Sequence, residues 1–419
     1  LDDAPALIYA LPDPERRVAV AARDGLRALS RRSRGIGMGD RVAFNLPNIL
    51  ELLYYTEAAK RLGIIYTPVF GGFSAKTLSD RIYDAGAKIV VTADGGYRNA
   101  EVVPYKERCT DVALDNFIPR PTALAALEQV LQGKGLGDAA ARLAAQVSDA
   151  LAGEITVERS DVMRELGKGL RAEEGITAER SAEVRTAVAR ALAEATHDVE
   201  TVVVIRYTGQ DIVVQPRDRW SHDLVAAARE AVLTPETEAR DDRALYAALA
   251  ATHPALPVGS DWPCFIIYTS GSTGKPKGVV HGHGGWLSGV AHTMRTVFGA
   301  EEGDRLYVIA DPGWITGQSY LIGAPLAMGI TSIVAEGSPL FPHAGRFSSI
   351  IARHGATIFK AGSTFLKSVM TDPASTADMS AYDMSSLKVA TFCAEPVSPA
   401  VQQFAMDEVC QRVCLIRKG

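Results

Sequence analysis

Short apolar runs alternate with segments of helical spacing along most of the chain. In the first part, Asn48 is predicted to cap a helix with Glu51 as its capping partner, and Gly63 is predicted to end it. A second helix is predicted to close at Gly86. Such β-α-β-α-β series build parallel sheets covered by helices, so the fold class is predicted to be α/β. Strands are predicted at residues 41–46, 64–69, 88–92, 202–207, 264–268, 306–310, 331–335, 357–360 and 388–392.

The stretch from Pro119 to Asp198 has a different character. It is rich in Ala, Arg and Glu, and its apolar residues recur at helical spacing, as at Leu143, Val147 and Leu151. It contains no strand signal, and we interpret it as a helical insert in an α/β protein. Two roles remain open for it, a docking surface for a partner or neighbouring domain, and a surface elaboration with solvated helices.

Composition narrows the class of protein. The 419 residues are 47% hydrophobic and 22% charged, with a net charge of -5, which is typical of a globular protein and argues against a nucleic-acid-binding surface. No apolar stretch approaches the roughly 18 to 20 residues that cross a bilayer. The N-terminal residues lack a secretory pattern, and we expect a cytoplasmic protein without a membrane partner. The five scattered cysteines form no CxxC pair, so we expect reduced thiols.

The strongest chemical signal is YTSGSTGKPKGVVHG, from Tyr268 to Gly282, directly after an apolar strand. Its glycines let several backbone N–H groups point at one anion, as a triphosphate requires. The Walker spacing is absent, and a polar surface turn is the weaker alternative. His281 and His283 stand two residues apart, but without a third ligand they favour packing over metal binding. The hydroxyl donors and cations of this segment are Ser270, Ser272, Thr273, Lys275 and Lys277.

This segment resembles the signature loop of the adenylate-forming superfamily, which comprises acyl-CoA synthetases, luciferases and non-ribosomal peptide adenylation domains. Three further stretches are similar to the acetyl- and propionyl-CoA synthetase branch of AMP-forming acyl-CoA synthetases. They are FGGFSAKTLSDRIYDAGAKIVVTADGGYR (Phe70 to Arg98), ADPGWITGQSYLIGAPLAMG (Ala310 to Gly329) and CAEPVSP (Cys393 to Pro399). The resemblance implies the large N-terminal domain of the adenylate-forming fold, with mostly parallel, helix-covered sheets and the helical insert.

The resemblance also implies the site residues. Lys277 and Thr273 are expected to act in catalysis, and the rest of the loop to hold the ATP phosphates. The family usually has Gly at Ala394, and it often has a second arginine at Glu101. The implied phosphate contacts are Thr269, Ser270, Gly271, Ser272, Gly274, Lys275 and Gly278, and the implied adenine contacts are Ala394, Glu395 and Pro396. The implied coenzyme A contacts are Gly71, Arg98 and Thr316, and the implied acyl pocket is walled by Trp314 and Ile315 with Cys393 on its floor.

The implied activity is ATP-dependent activation of a short carboxylic acid to acyl-AMP and then acyl-CoA, with release of AMP and pyrophosphate. ATP, coenzyme A and Mg²⁺ that enters with ATP are the implied cofactors, and no protein metal site is expected. A bulky indole such as Trp314 shortens a pocket, which favours a small acid. Because one methylene is worth only about 1 to 3 kcal/mol, acetate, propionate and 3-hydroxypropionate remain open.

The same resemblance predicts the organisation of the chain. Residues 1–118 are expected to begin the nucleotide- and CoA-binding domain, 119–198 to be the insert, and 199–419 to form the remainder of the AMP-binding domain. The C-terminal small domain is expected to be absent, so that the chain is truncated and inactive alone. The insert resembles the ligase portion of multidomain propionyl-CoA synthases, which predicts fused or docked downstream acyl-CoA enzymes. Alternatives are a carrier-protein-loading adenylation domain and an inactive nucleotide-binding fragment.

Overall fold

The computed structural model describes residues 8–9, 36–232, 244, 251, 254–269, 276–410 and 415–418. The strands are β1 (Ile8–Tyr9), β2 (Arg41–Asn45), β3 (Ile65–Pro68), β4 (Ile89–Ala93), β5 (Gly96–Arg98), β6 (Glu101–Val103), β7 (Phe117–Pro119), β8 (Thr156–Glu158), β9 (Thr201–Ile205), β10 (Asp218–Trp220), β11 (Pro263–Thr269), β12 (Lys277–Gly282), β13 (Arg305–Ile309), β14 (Thr331–Ile333), β15 (Ile358–Gly362), β16 (Val389–Cys393) and β17 (Leu415–Lys418).

Helices follow most of these strands. They are α1 (Leu50–Arg61), α2 (Ala75–Ala85), α3 (Val112–Asp115), α4 (Arg120–Gly133), α5 (Asp138–Ala150), α6 (Arg159–Ala172), α7 (Ala178–Glu194), α8 (Ser221–Val232), α9 (His283–Thr293), α10 (Ala324–Met328), α11 (Arg346–His354), α12 (Ser363–Thr371), α13 (Ser375–Ser380) and α14 (Pro399–Phe404). Among the described residues, four segments are π-helical, at Lys106–Asp111, Met294–Phe298, Gly317–Gly323 and Ala405–Val409.

The fold is built around two large sheets. One has seven strands in the order β10-β9-β4-β2-β3-β11-β12, in which every pair is parallel except β11 and β12. The other has the order β1-β14-β13-β15-β16-β17 and is parallel except for the edge strand β1. The predicted α/β class with mostly parallel, helix-covered sheets is therefore confirmed.

The ends of two helices test the capping residues that the sequence predicts. The Ser74 side chain accepts a hydrogen bond from the Thr77 amide at 3.2 Å and caps α2, and Gly86 ends that helix with φ 61°. The prediction that Asn48 caps α1 is wrong, since the capping position is occupied by Ile49, whose side chain makes no capping bond. Ile49 is buried in the core of the seven-stranded sheet, so packing decides where this helix begins.

The predicted insert contains the four helices α4 to α7 around their own apolar cluster, which includes Leu127, Leu143 and Leu166. The expectation that it lacks strands is wrong, because β8 pairs antiparallel with β7. Each of these strands has only three residues, which is too short for an alternating pattern to be read from sequence.

Polar contacts attach this helical region to α2. Asp80 Oδ1 accepts hydrogen bonds from the Thr156 amide at 2.9 Å and from the Thr156 hydroxyl at 2.5 Å. The buried imidazole of His197 lies 2.9 Å from the Ser79 hydroxyl, and these two groups share a hydrogen bond. The helical region is therefore tied to α2 through side chains that are removed from water.

Among the described residues, no helix is both long and apolar enough to cross a bilayer. Cys109, Cys264 and Cys393 are free thiols, as expected. Cys410 is disulfide-bonded, which corrects the expectation of reduced thiols throughout. Isolated cysteines in a sequence do not reveal which of them lie close together in the fold.

Candidate functional site

The predicted phosphate loop is the connection of a β-hairpin. Strands β11 and β12 pair antiparallel, with Thr269 opposite Lys277 and Tyr268 opposite Gly278. Because β11 runs parallel to β3, Thr269 lies at the carboxyl edge of the sheet, where ligands of parallel α/β proteins bind. The loop residues Ser270, Gly271, Ser272, Thr273, Gly274 and Lys275 lie outside the described residues.

Side-chain contacts hold both strands of this hairpin. The Tyr268 hydroxyl donates a hydrogen bond to Asp84 Oδ2 at 2.7 Å, and the Arg81 guanidinium lies 5.5 Å from the centre of the Tyr268 ring. His281 stacks on Phe265 with ring centroids 4.6 Å apart, as the packing interpretation predicts. Within the described part of the chain, no group of three or more His, Cys, Asp or Glu side chains is arranged to hold a metal ion.

The segments around Phe70 and Trp314 lie against each other. The Trp314 ring packs on Phe70 and Phe73, with centroid separations of 6.3 and 5.8 Å. A Cβ atom on Gly313 would lie 2.5 Å from the Phe70 amide nitrogen, so only glycine permits this approach. Residues about 240 positions apart in sequence thus form one wall. Trp314 and Ile315 keep 46% and 40% of their surface exposed on it.

A cavity of about 270 Å³ lies beside this wall, at the carboxyl ends of β2, β13 and β14. It is lined by Arg98, Tyr105, Asp311, Glu336 and Arg346, among others. Removal from water raises the pKa of Asp311 to about 6, while the Gly313 amide and the Arg98 charge act in the opposite direction. Both cations and carboxylates therefore border a space that an organic ligand can enter.

Glu336 is a site residue that sequence reasoning missed. Its carboxylate accepts hydrogen bonds from the Tyr97 amide at 2.7 Å and from the Tyr207 hydroxyl at 2.6 Å. Burial raises the pKa of Glu336, and these donors lower it. The contacts join the end of β14 to the loop after β9 and to β5, and no local motif around Glu336 indicates such partners.

The predicted adenine turn follows β16. Ala394 has φ 78°, a left-handed conformation that favours glycine, the residue usual at this position in the resembled family. Glu395 is exposed and pairs with Lys367 at 2.9 Å, and this contact lowers the pKa of Glu395. The Ser363 hydroxyl donates to the carbonyl oxygens of Cys393 and Glu395, at 3.4 and 3.2 Å. These bonds hold the turn against the end of β15.

The structure thus brings together some of the predicted residues. Arg98 and the segment around Gly71 meet the 310–316 segment at one cavity, and Thr316 directly precedes the π-helical segment 317–323. Cys393, Ala394 and Glu395 lie together after β16, where the Cys393 thiol donates to the Ala361 carbonyl at 3.9 Å. Lys277 and Gly278 are exposed at the hairpin base, and Pro396 is exposed in the turn.

These sheets and the hairpin at their carboxyl edge define an α/β protein of the adenylate-forming fold. The family model described as AMP-binding enzyme matches residues 26–164 and 172–417. The chain belongs to this family, which confirms the membership predicted from the signature segment.

Acetyl-CoA synthetases are among the relatives of this chain. The chain is 32% identical to acetyl-coenzyme A synthetase of Thiobacillus denitrificans over 402 residues, which cover 95% of the chain and 46% of the relative. It is 30% identical to acetyl-coenzyme A synthetase 2 of Zygosaccharomyces bailii over 421 residues, or 99% of the chain and 47% of the relative. The chain therefore spans about half the length of the relatives that it matches.

Proposed function

We propose that this chain belongs to an enzyme that uses ATP to activate a short carboxylic acid and transfers the acyl group to coenzyme A. The observation that carries the proposal is the packing of Trp314 on Phe70 and Phe73. It joins the segment that resembles an acyl pocket to the segment that resembles a coenzyme A site. The names of the acetyl-CoA synthetase relatives support the same chemistry.

The proposed reaction has two steps. An oxygen of the substrate carboxylate attacks the α-phosphorus of ATP, and the bond to pyrophosphate breaks, giving acyl-AMP. The sulfur of coenzyme A then attacks the acyl carbon, the thiol proton is lost, and AMP leaves. The protein contributes positioning and stabilisation of the charge that develops on phosphate oxygens.

The chain offers residues for each ligand. Thr269, Lys277 and the loop between them would hold the triphosphate, with Thr273 and Lys277 next to the reacting phosphate. Mg²⁺ would enter with the triphosphate and neutralise part of its charge. Ala394, Glu395 and Pro396 would lie against adenine. These roles follow from the resemblance and from the place of the hairpin at the carboxyl edge of the sheet.

For coenzyme A, the cavity beside Arg98 provides the space and the charge. Arg98 and Arg346 lie on its lining and can meet phosphate groups, and Gly71 and Thr316 belong to the two segments that form its wall. Trp314, Ile315 and Cys393 would bound the acyl group. Acetate is the acid that the relatives' names favour, and propionate and 3-hydroxypropionate are further candidates. We place the protein in the cytoplasm, with downstream acyl-CoA enzymes as partners.

The test is exchange of labelled pyrophosphate into ATP by the natural gene product that contains this chain. Exchange should require acetate, propionate or 3-hydroxypropionate. Labelled pyrophosphate enters ATP only by reversal of the first step, and that step forms acyl-AMP from the acid. Arg98→Ala should raise KM for coenzyme A in the complete reaction and leave acid-dependent exchange unchanged. Arg185→Ala, on an exposed face of α7, serves as the matched control. Absence of acid-dependent exchange with all three acids would refute the proposed function.

A further inference from the structure

Lys360 is a buried lysine in the middle of the six-stranded sheet. It lies on β15, opposite Val308 of β13 and Thr391 of β16. Only 3% of its surface is exposed, although it stands two residues from the carboxyl end of the strand. Lysine side chains are almost never buried to this extent unless they are paired.

The surroundings of Lys360 contain rings and a thiol. Its Nζ atom lies 4.5 Å from the centre of the Tyr320 ring and 5.3 Å from that of Phe298. The Cys393 thiol acts on the same head group and raises its pKa. Among the described residues, no carboxylate lies within salt-bridge distance of Lys360. Lys106, by contrast, is fully buried and contacts two carboxylates.

This environment disfavours the ammonium group. Burial lowers the pKa of Lys360, and the interaction with the Cys393 thiol opposes that change. Contacts with aromatic faces offset only part of the hydration free energy that a cation loses when it is buried. A thiol is also a weak acceptor for an ammonium that can donate three hydrogen bonds. Fold stability alone therefore favours an apolar side chain at this position. Binding of a ligand explains the presence of a lysine better than stability does.

The position of Lys360 indicates which ligand. Cys393, whose thiol raises the pKa of Lys360, ends β16 directly before the predicted adenine turn. Tyr320, which covers its head group, belongs to the π-helical segment 317–323 that follows Trp314 and Ile315. Lys360 thus lies between the two segments that bound the proposed acyl group.

We propose that Lys360 is a specificity-determining residue, which donates a hydrogen bond to a second oxygen of the substrate acid. The substrate class is then a short acid with an oxygen acceptor beyond its carboxylate, either a hydroxy acid or a dicarboxylic acid. The acceptor is required because an ammonium group only donates. This inference rests on the proposed function and narrows its substrate.

Three acids of equal length test the inference, namely propionate, 3-hydroxypropionate and malonate, which differ only at the third carbon. Their dissociation constants are measured by ligand-observed NMR on the natural gene product, without turnover. The protein should bind 3-hydroxypropionate or malonate at least about tenfold more tightly than propionate, the usual lower range for a buried hydrogen bond to a charged group. Preference for malonate would identify a dicarboxylic acid, and preference for 3-hydroxypropionate a hydroxy acid.

Two variants assign the preference to Lys360. Lys360→Met keeps an unbranched side chain, one atom shorter, and removes the donor. The three acids should then bind with about equal affinity, and the affinity for propionate should be retained. Lys360→Gln keeps a donor without charge and provides a second variant if the first is unstable. This variant should still bind 3-hydroxypropionate more tightly than propionate, but it should no longer prefer malonate. Lys168→Met, on an exposed face of α6, is the control.

The outcomes separate this inference from the proposed function. Equal binding of the three acids by the wild type, or a preference that persists in both Lys360 variants, overturns the inference even if acid-dependent exchange is present. Conversely, a Lys360-dependent preference without any acid-dependent exchange supports the binding site and refutes the proposed reaction.

Discussion

Lys106 provides the sharpest test of the energetics of this fold. Its side chain is fully buried, and Nζ lies 2.7 Å from Asp111 Oδ2 and 2.9 Å from Asp218 Oδ2. It also donates a hydrogen bond to the Val213 carbonyl at 2.9 Å. One ammonium group therefore joins the 106–111 segment, the loop before β10 and β10 itself. The neighbouring Tyr105 lines the cavity, so this cluster also supports the proposed coenzyme A site.

The change Lys106→Met should destabilise the protein strongly. Asp111 keeps the Arg217 guanidinium at 3.2 Å, but Asp218, whose side chain is 3% exposed, loses its only cationic partner among the described residues. Leaving one charge of a buried pair uncompensated costs about 3 to 5 kcal/mol. That is a large part of the roughly 5 to 15 kcal/mol by which domains are stable.

Urea denaturation followed by circular dichroism measures the effect as a change in the free energy of unfolding. The double variant Lys106→Met/Asp218→Asn should recover much of the loss, because it removes the uncompensated charge. Lys168→Met breaks an exposed ion pair with Glu165 and should leave the free energy of unfolding nearly unchanged. A loss below about 1 kcal/mol in the single variant, or a double variant no more stable than the single one, would contradict the charge-burial reasoning.

Three further predictions concern single side chains. Ala394→Gly should raise the free energy of unfolding by up to about 1 kcal/mol in urea denaturation, because relief of the left-handed strain exceeds the added chain entropy; a loss of stability would be inconsistent with φ 78° at this position. Burial lowers the pKa of His197 from 6.5 to about 4. Between these pH values the unfolded chain binds a proton that the folded chain does not. The free energy of unfolding should therefore fall by on the order of 3 kcal/mol as the pH falls from 6.5 to about 4. His197→Gln should remove that part of the pH dependence, and an unchanged profile would exclude His197 as its source. Trp314→Gly in the natural gene product should raise kcat/KM for hexanoate relative to propionate, since a removed indole lengthens the pocket; an unchanged ratio would place Trp314 outside the acyl pocket.

Local signals predicted a large part of this protein. The order of the main strands, and the helix that ends at Gly86, depend on residues within a few positions of each other. The segments Phe70 to Arg98, Ala310 to Gly329 and Cys393 to Pro399 pointed to the correct family for the same reason. Their glycines and polar residues serve backbone conformations and ligand contacts that are largely local.

Other features depend on residues that are far apart in sequence. Ile49 rather than Asn48 occupies the capping position of α1 because Ile49 is buried in a core built from several strands. The three-residue strands β7 and β8 exist only because they pair with each other. The contacts of Glu336 with Tyr97 and Tyr207, 239 and 129 residues away, have no local counterpart either.

Two buried lysines show most clearly what the local sequence determines and what the tertiary structure determines. Lys106 and Lys360 both stand within ordinary-looking segments, and the sequence by itself determined only that each position carries a cation. The tertiary structure decided that Lys106 meets two carboxylates while Lys360 meets two rings and a thiol. The physical reason is that the energy of a charge depends on which distant groups replace its water, and folding alone brings those groups to it.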